Sequence, residues 1–141
     1  MALIVDAGPL IAMADRRYSR RDLLRTLVEG ERGPVVLSPY VAAEADHLIG
    51  RRLGPQAERL FLQDLASGAY EIEGLTDDEH QLMVEIDQDR PGLGLADLSM
   101  IVLAARYRTT RLLSFDERDF RTTRPLDGDR FVLLPADLDR G

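Results

Sequence analysis

The sequence predicts an α/β domain built on a mostly parallel sheet. Three observations carry that expectation. Short apolar, strand-like runs alternate along the chain with stretches whose apolar residues recur at helical spacing. The chain has 141 residues, 45% hydrophobic and 30% charged, the balance of one compact domain that can bury a core. No internal repeat, low-complexity tract or linker divides it, so residues 1–141 read as a single domain.

The first strand is Ala2 to Val5, ending at Asp6, and Gly8 to Ala14 follows as a short helix with Pro9 in its first turn. A second helix over Asp22 to Glu29 carries Leu23, Leu24, Leu27 and Val28 at helical spacing, and Gly30 and Gly33 close it. Val35 to Leu37 is the second strand. Ser38-Pro39 then supplies an N-cap and a first residue for a helix from about Tyr40 to Ile49. Gly54-Pro55 precedes a helix whose apolar face is Ala57, Leu60, Phe61 and Leu65, and Tyr70 to Ile72 is a weak third strand. Thr76-Asp77-Asp78-Glu79 has capping-box spacing, which starts a helix running to about Asp87. After a loop over Asp89 to Gly94, Leu95 to Arg106 is a helix apolar nearly all round and therefore largely buried. Arg111 to Ser114 is the fourth strand, Phe131 to Leu134 the last, and the tail from Pro135 to Gly141 reads as exposed.

Composition excludes several classes of function. The longest uninterrupted apolar run is Met100 to Ala105, too short to span a bilayer, and the N-terminus lacks the basic region of a secretory signal. A cytoplasmic protein is therefore expected. With no cysteine there are no disulfides, zinc-thiolate sites, iron–sulfur clusters or thiol nucleophiles. All 18 basic residues are arginine, which removes Schiff-base and P-loop-lysine chemistry. Net charge is +1 over residues 1–60 and −8 over residues 61–141, giving the chain's −7. Such an acidic chain binds a polyanion only where cations or local arginine clusters mediate the contact.

Four acids stand where a packed α/β core would not choose a charge. Asp6 and Asp116 each follow a strand directly, at the sheet edge where ligands collect in open α/β folds. Glu44 shares a helix face with Val41, Ala45 and Leu48, a face expected to pack inward. Asp97 lies in the first turn of the most apolar helix, and Asp119 follows Asp116 by one helical turn. Taken singly, Asp6 could be an N-cap, Asp97 a partner of the helix dipole and Asp116 the start of a turn. Taken together, if the first and fourth strands are neighbours, the carboxylates converge. Like charges in a confined site need protons or a counter-cation. An all-oxygen donor set suits Mg²⁺ or Mn²⁺, while His47 and His80 show no paired zinc spacing.

These residues resemble the PIN domain, and within it the VapC-type ribonuclease toxins of bacterial toxin–antitoxin pairs. LIVDAGPLIAMAD is similar to the family's opening strand and first acid, and SPYVAAEADHLI to its Ser/Thr-Pro-x-x-x-x-Glu helix. GLADLSMIVLAAR is similar to its Asp-bearing helix, and LLSFDERDF to its Leu-Leu-(Thr/Ser)-x-Asp-x-x-Asp-Phe closing motif. The likeness spans nearly the whole chain in order. It places the family's acidic quartet on Asp6, Glu44, Asp97 and Asp116, with Asp119 as a fifth acid and Ser114 as the hydroxyl that orients the last carboxylate. Where many members carry Ser or Thr directly after the first acid, this chain has Ala7 and Gly8.

The resemblance implies a three-layer α/β/α sandwich on a parallel sheet, a homodimer, Mg²⁺- or Mn²⁺-dependent endonucleolytic cleavage of RNA, and a cognate VapB-type antitoxin whose C-terminal segment blocks the acidic groove. Asp6 and Asp97 are the first choice for direct metal ligands, with Glu44 and Asp116 binding directly or through water. Metal-assisted hydrolysis leaves 5′-phosphate and 3′-hydroxyl ends. The Arg16, Arg17, Arg20 and Arg21 cluster and the Arg51-Arg52 pair are candidates to grip flanking phosphates. The alternative is a catalytically inactive PIN-like module that binds a partner. An aspartate-phosphorylating fold is disfavoured because it needs a lysine.

Overall fold

The computed structural model describes residues 1–138. Its twelve elements follow in chain order as β1 (Leu3–Val5), α1 (Ala7–Ala14), α2 (Arg21–Glu29), β2 (Val35–Leu37), α3 (Pro39–Leu53) and α4 (Pro55–Ala66), then β3 (Glu71–Ile72), α5 (Asp77–Asp89), α6 (Leu95–Arg106), β4 (Arg111–Leu113), α7 (Glu117–Arg121) and β5 (Val132–Leu134). All strand pairs are parallel, in the order β3-β2-β1-β4-β5. The fold is a three-layer α/β/α sandwich.

The strands are short but apolar because the sheet is covered on both faces. Every residue of β1 and β2 is buried, whereas the two residues of edge strand β3 are exposed. From β1 the chain builds outward to β2 and β3, then returns to the other side of β1 for β4 and β5. The sheet therefore has its topological switch point between β1 and β4, where crevices form at the carboxyl ends of parallel strands. The register pairs Val5 with Leu113, and the Asp6 N–H donates to the Leu113 carbonyl at 2.9 Å. Asp6 and Ser114 thus leave the sheet side by side.

Helix α6 is buried from Leu98 through Ala104, as its all-round apolarity predicts, although Leu95 at its start is half exposed. The capping box at α5 forms: Thr76 Oγ1 accepts from the Glu79 N–H at 3.1 Å, and Glu79 Oε1 accepts from the Thr76 N–H at 3.0 Å. Thr76→Ala should cost about 0.5–2 kcal/mol of stability in urea denaturation and leave activity at 25 °C unchanged. No loss of stability would mean that the Arg106 contacts to Glu79 alone hold this helix end.

The structure corrects several expected boundaries. Helix α3 continues through Leu53, past the expected end at Ile49, because the polar Gly50-Arg51-Arg52 turn still satisfies its backbone inside the helix. On α4 only Phe61 of the predicted apolar face is buried, and Leu60 is exposed. The segment after Asp116 is a short helix, α7, rather than a turn. Within the tail expected to be exposed, Pro135 and Asp137 are partly buried, and Asp137 accepts from the Leu133 N–H and pairs with Arg121. Residues 139–141 of that tail lie outside the described residues. Among the described residues no helix is long and apolar enough to cross a membrane.

Candidate metal centre

The carboxyl end of the β1–β4 pair holds the site. Asp6 leaves β1 as the N-cap of α1 and is buried. Its Oδ1 accepts from the Ala7 N–H at 2.7 Å and its Oδ2 from the Ser114 hydroxyl at 2.6 Å. The capping reading of Asp6 therefore holds, and its second oxygen is tied to the end of β4 through Ser114. Burial raises its pKa above the usual carboxylate value against the opposing pull of the Ser114 and Ala7 hydrogen bonds. Ser114, itself buried, accepts from the Asp116 N–H at 3.0 Å, so one hydroxyl ties the end of β1 to the end of β4.

Asp116 begins α7 as its N-cap, accepting from the Asp119 N–H at 2.9 Å. That cap curls the chain so that Asp119 turns back toward the cleft, and Phe120 anchors the turn by packing edge-on against Phe131 at 5.7 Å. Asp97 enters from α6, whose N-cap is Gly94 at φ 88°, a left-handed conformation that glycine adopts without strain. Ser38 and Ser99 fix this helix against α3. The Ser99 hydroxyl donates to the Ala96 carbonyl at 2.6 Å, which leaves Ser38 as the donor in their 2.7 Å contact.

Asp97, Asp116 and Asp119 each offer a carboxylate oxygen, and these oxygens lie within 4.8 Å of one another. Partial burial, followed by the charges of Asp6, Asp116 and Asp119, pushes the Asp97 carboxyl up to about 7. The trio has too much negative charge for its volume, and it consists of hard oxygen donors only. That is the chemistry that fits a divalent cation.

A cleft of about 460 Å³ opens onto Asp6, Glu44, Asp97 and Asp116 and is walled by Ile11, Leu48, Arg52 and the Leu93–Ala96 turn. All four predicted quartet members thus line one cavity, and the fifth acid, Asp119, belongs to the tight trio. Glu44 needs a correction: it is exposed, not on the inward face of its helix. Helix α3 buries Val41, Ala42, Ala45 and Ile49, and that stripe rotates Glu44 to the cleft rim. Gly8 sits under Phe115, and a Cβ there would come within 3.1 Å of the ring.

The two arginine clusters meet in space. Arg16, Arg17, Arg21, Arg25 and Arg52 line a second cleft of about 350 Å³, whereas Arg20 and Arg51 do not. Arg21 Nε and Arg25 Nη2 both donate to the Met13 carbonyl at the end of α1, so these two also cap a helix. Sequence reasoning passed over Arg90, whose guanidinium reaches Asp119. A lone arginine in a loop gives no periodic or motif signal.

No family model matches the chain. Ribonuclease VapC26 of Mycobacterium tuberculosis (strain ATCC 25618 / H37Rv) is 34% identical over 135 residues, covering 94% of this chain and 100% of that protein. The fold is similar to the crystal structure of M. tuberculosis VapC20, a sarcin-ricin loop cleaving toxin, with a TM-score of 0.71, 19% identity and coverage of 82% of this chain and 91% of that one. It is also similar to VapBC2 from Rickettsia felis bound to a DNA fragment from their promoter, with a TM-score of 0.66, 16% identity and coverage of 94% and 97%. A parallel sheet in this order, with acids at its switch point, defines a PIN-type α/β domain. Within that class the chain belongs to the VapC ribonucleases, the toxins of type II toxin–antitoxin pairs.

Proposed function

We propose that the chain acts as one domain, an endoribonuclease toxin that hydrolyses RNA at the Asp97–Asp116–Asp119 cluster with Mg²⁺ or Mn²⁺ and is neutralised by a VapB-type antitoxin. The observation that carries this reading is the convergence of carboxylates on a single cleft at the β1–β4 switch point. Asp97, Asp116 and Asp119 would hold the cation, which when bound supplies positive charge to the scissile phosphate and acidifies water. Asp6, with both oxygens engaged by Ala7 and Ser114, holds the neighbouring β4 end in place and adds negative charge. Glu44 faces the cleft from its rim, free to accept a proton from an approaching water. Arg52 stands on the same wall, where it can meet an RNA phosphate. Homodimer formation and antitoxin binding follow from the family reading.

The test is cleavage of total cellular RNA by purified protein in Mg²⁺, Mn²⁺ or EDTA, with product ends mapped. Metal-dependent cuts leaving 5′-phosphate and 3′-hydroxyl ends are expected. Glu44→Gln should slow cleavage without weakening metal binding, since its carboxylate lies outside the trio. Cleavage that persists in EDTA, or 2′,3′-cyclic phosphate ends, would overturn the metal-assisted reading. No cleavage by antitoxin-free protein would favour the inactive interaction module.

A further inference from the structure

Among the described residues, one guanidinium pairs with the carboxylate cluster: Arg90 Nη2 lies 3.5 Å from Asp119 Oδ1, with the side chains 32% and 30% exposed. Its backbone is held, not loose. Arg90 is the C-cap of α5, its N–H donates to the Ile86 carbonyl at 2.8 Å, and Pro91 follows directly. The connection then runs through Gly92 and Gly94, both left-handed, into the first turn of α6 and Asp97. Arg90 and Asp97 are therefore delivered to the site by the two ends of one short, constrained turn.

A part-exposed ion pair of this kind contributes little to folding. Its placement is better explained by what the site handles. A guanidinium presents a rigid fork of donors that matches phosphate oxygens two at a time, and it keeps its charge at any working pH. In a chain of net charge −7, the surface round four acids repels RNA unless fixed positive charge stands beside the cation. Once a divalent cation shares the charge of Asp119, the pull of that carboxylate on Arg90 weakens, and the guanidinium can turn to a phosphate at the same edge. We infer that Arg90 is a substrate-binding residue that exchanges Asp119 for an RNA phosphate beside the carboxylate cluster. The inference rests on the ribonuclease reading and names a contact within it.

The test separates RNA contact from a structural role. Binding of a labelled single-stranded RNA to Glu44→Gln protein, which keeps the Asp97–Asp116–Asp119 trio intact and is slowed in cleavage, is measured in Mg²⁺ over a range of salt, with and without Arg90→Gln and Arg90→Lys. Loss of one phosphate contact should weaken binding about 10-fold and make the log–log salt dependence shallower by about 0.7 in the Gln variant, with Lys retaining most of the slope. In the otherwise wild-type chain, Arg90→Gln should lower kcat/KM by about 10- to 100-fold. Unchanged RNA affinity and salt slope, with a lowered thermal midpoint, would make the pair a staple between the α5–α6 turn and α7 and overturn the inference. RNA binding without cleavage by the wild type would overturn the nuclease reading while the slope still decides Arg90. If neither parent nor variant binds RNA, both readings fall.

Discussion

Replacing Asp97 with asparagine is expected to lower metal-dependent RNA cleavage by more than about 100-fold, while stabilising the metal-free protein above pH 7. Changing a residue that only orients a metal ligand typically costs 10- to 100-fold, and Asp97 sits in the acidic trio proposed to hold the cation. The stability effect has the opposite sign because burial, followed by the charges of Asp6, Asp116 and Asp119, pushes the Asp97 carboxyl up from 3.8 to about 7. Below about pH 4 the folded and unfolded chains both carry this proton. Between that point and about pH 7 the folded chain keeps it and the unfolded chain releases it, so rising pH favours unfolding. The contribution of Asp97 to stability is thus fully present in acid and lost as pH rises through about 7. Asparagine removes this slope, so the two proteins should diverge in thermal midpoint between pH 5 and 8 in EDTA, the variant being the more stable at pH 8. Added Mg²⁺ should reverse the order, because a cation binds the deprotonated carboxylates of the wild type and releases protons on binding. Parallel midpoints across pH would show that the acids do not repel one another, and would remove the physical basis for a cation there.

Ser114→Ala is expected to reduce metal affinity or activity by about 10- to 100-fold although the serine touches no cation. Its buried hydroxyl donates to Asp6 Oδ2 at 2.6 Å and accepts from the Asp116 N–H at 3.0 Å. Alanine would leave a buried carboxylate oxygen and a backbone donor unsatisfied together, costing about 1–3 kcal/mol of stability as well. Ser114→Thr keeps the hydroxyl and should recover most of both losses. Isothermal titration with Mn²⁺ and urea denaturation, run on the three proteins, measure the two effects separately. If alanine changed neither, the alignment of Asp6 with Asp116 would be set by the strand pairing alone.

Much of this molecule is legible along the chain. Leu3–Val5, Val35–Leu37 and Arg111–Leu113 are strands because short apolar runs bounded by turn residues cannot bury themselves as helices, and the capping box of α5 is written in four consecutive residues. The acids Asp6, Asp97 and Asp116 stand out because each interrupts or ends an apolar run. Glu44 reaches the cleft for a different reason from the one its spacing suggests. Helical spacing assigns it to an inward face, yet the contact of α3 with its neighbours selects the stripe through Val41, Ala45 and Ile49, and turns Glu44 outward to the rim. Helix α7 was not legible, since five residues are too few to reveal a period or to nucleate alone.

The sequence by itself determined the α/β class, the element order and the anomalous placement of Asp6, Asp97 and Asp116, because periodicity, capping and turn chemistry act between residues close in the chain. Only the tertiary structure decided that Asp119 joins Asp97 and Asp116, that Asp6 is braced by Ser114, and that Arg90 stands at the cluster's edge. These contacts join residues brought together by the β1–β4 pairing and by the packing of Phe120 on Phe131. Which side chains meet across a parallel sheet depends on strand order, and strand order is settled by how the whole core packs, not by any local run of residues.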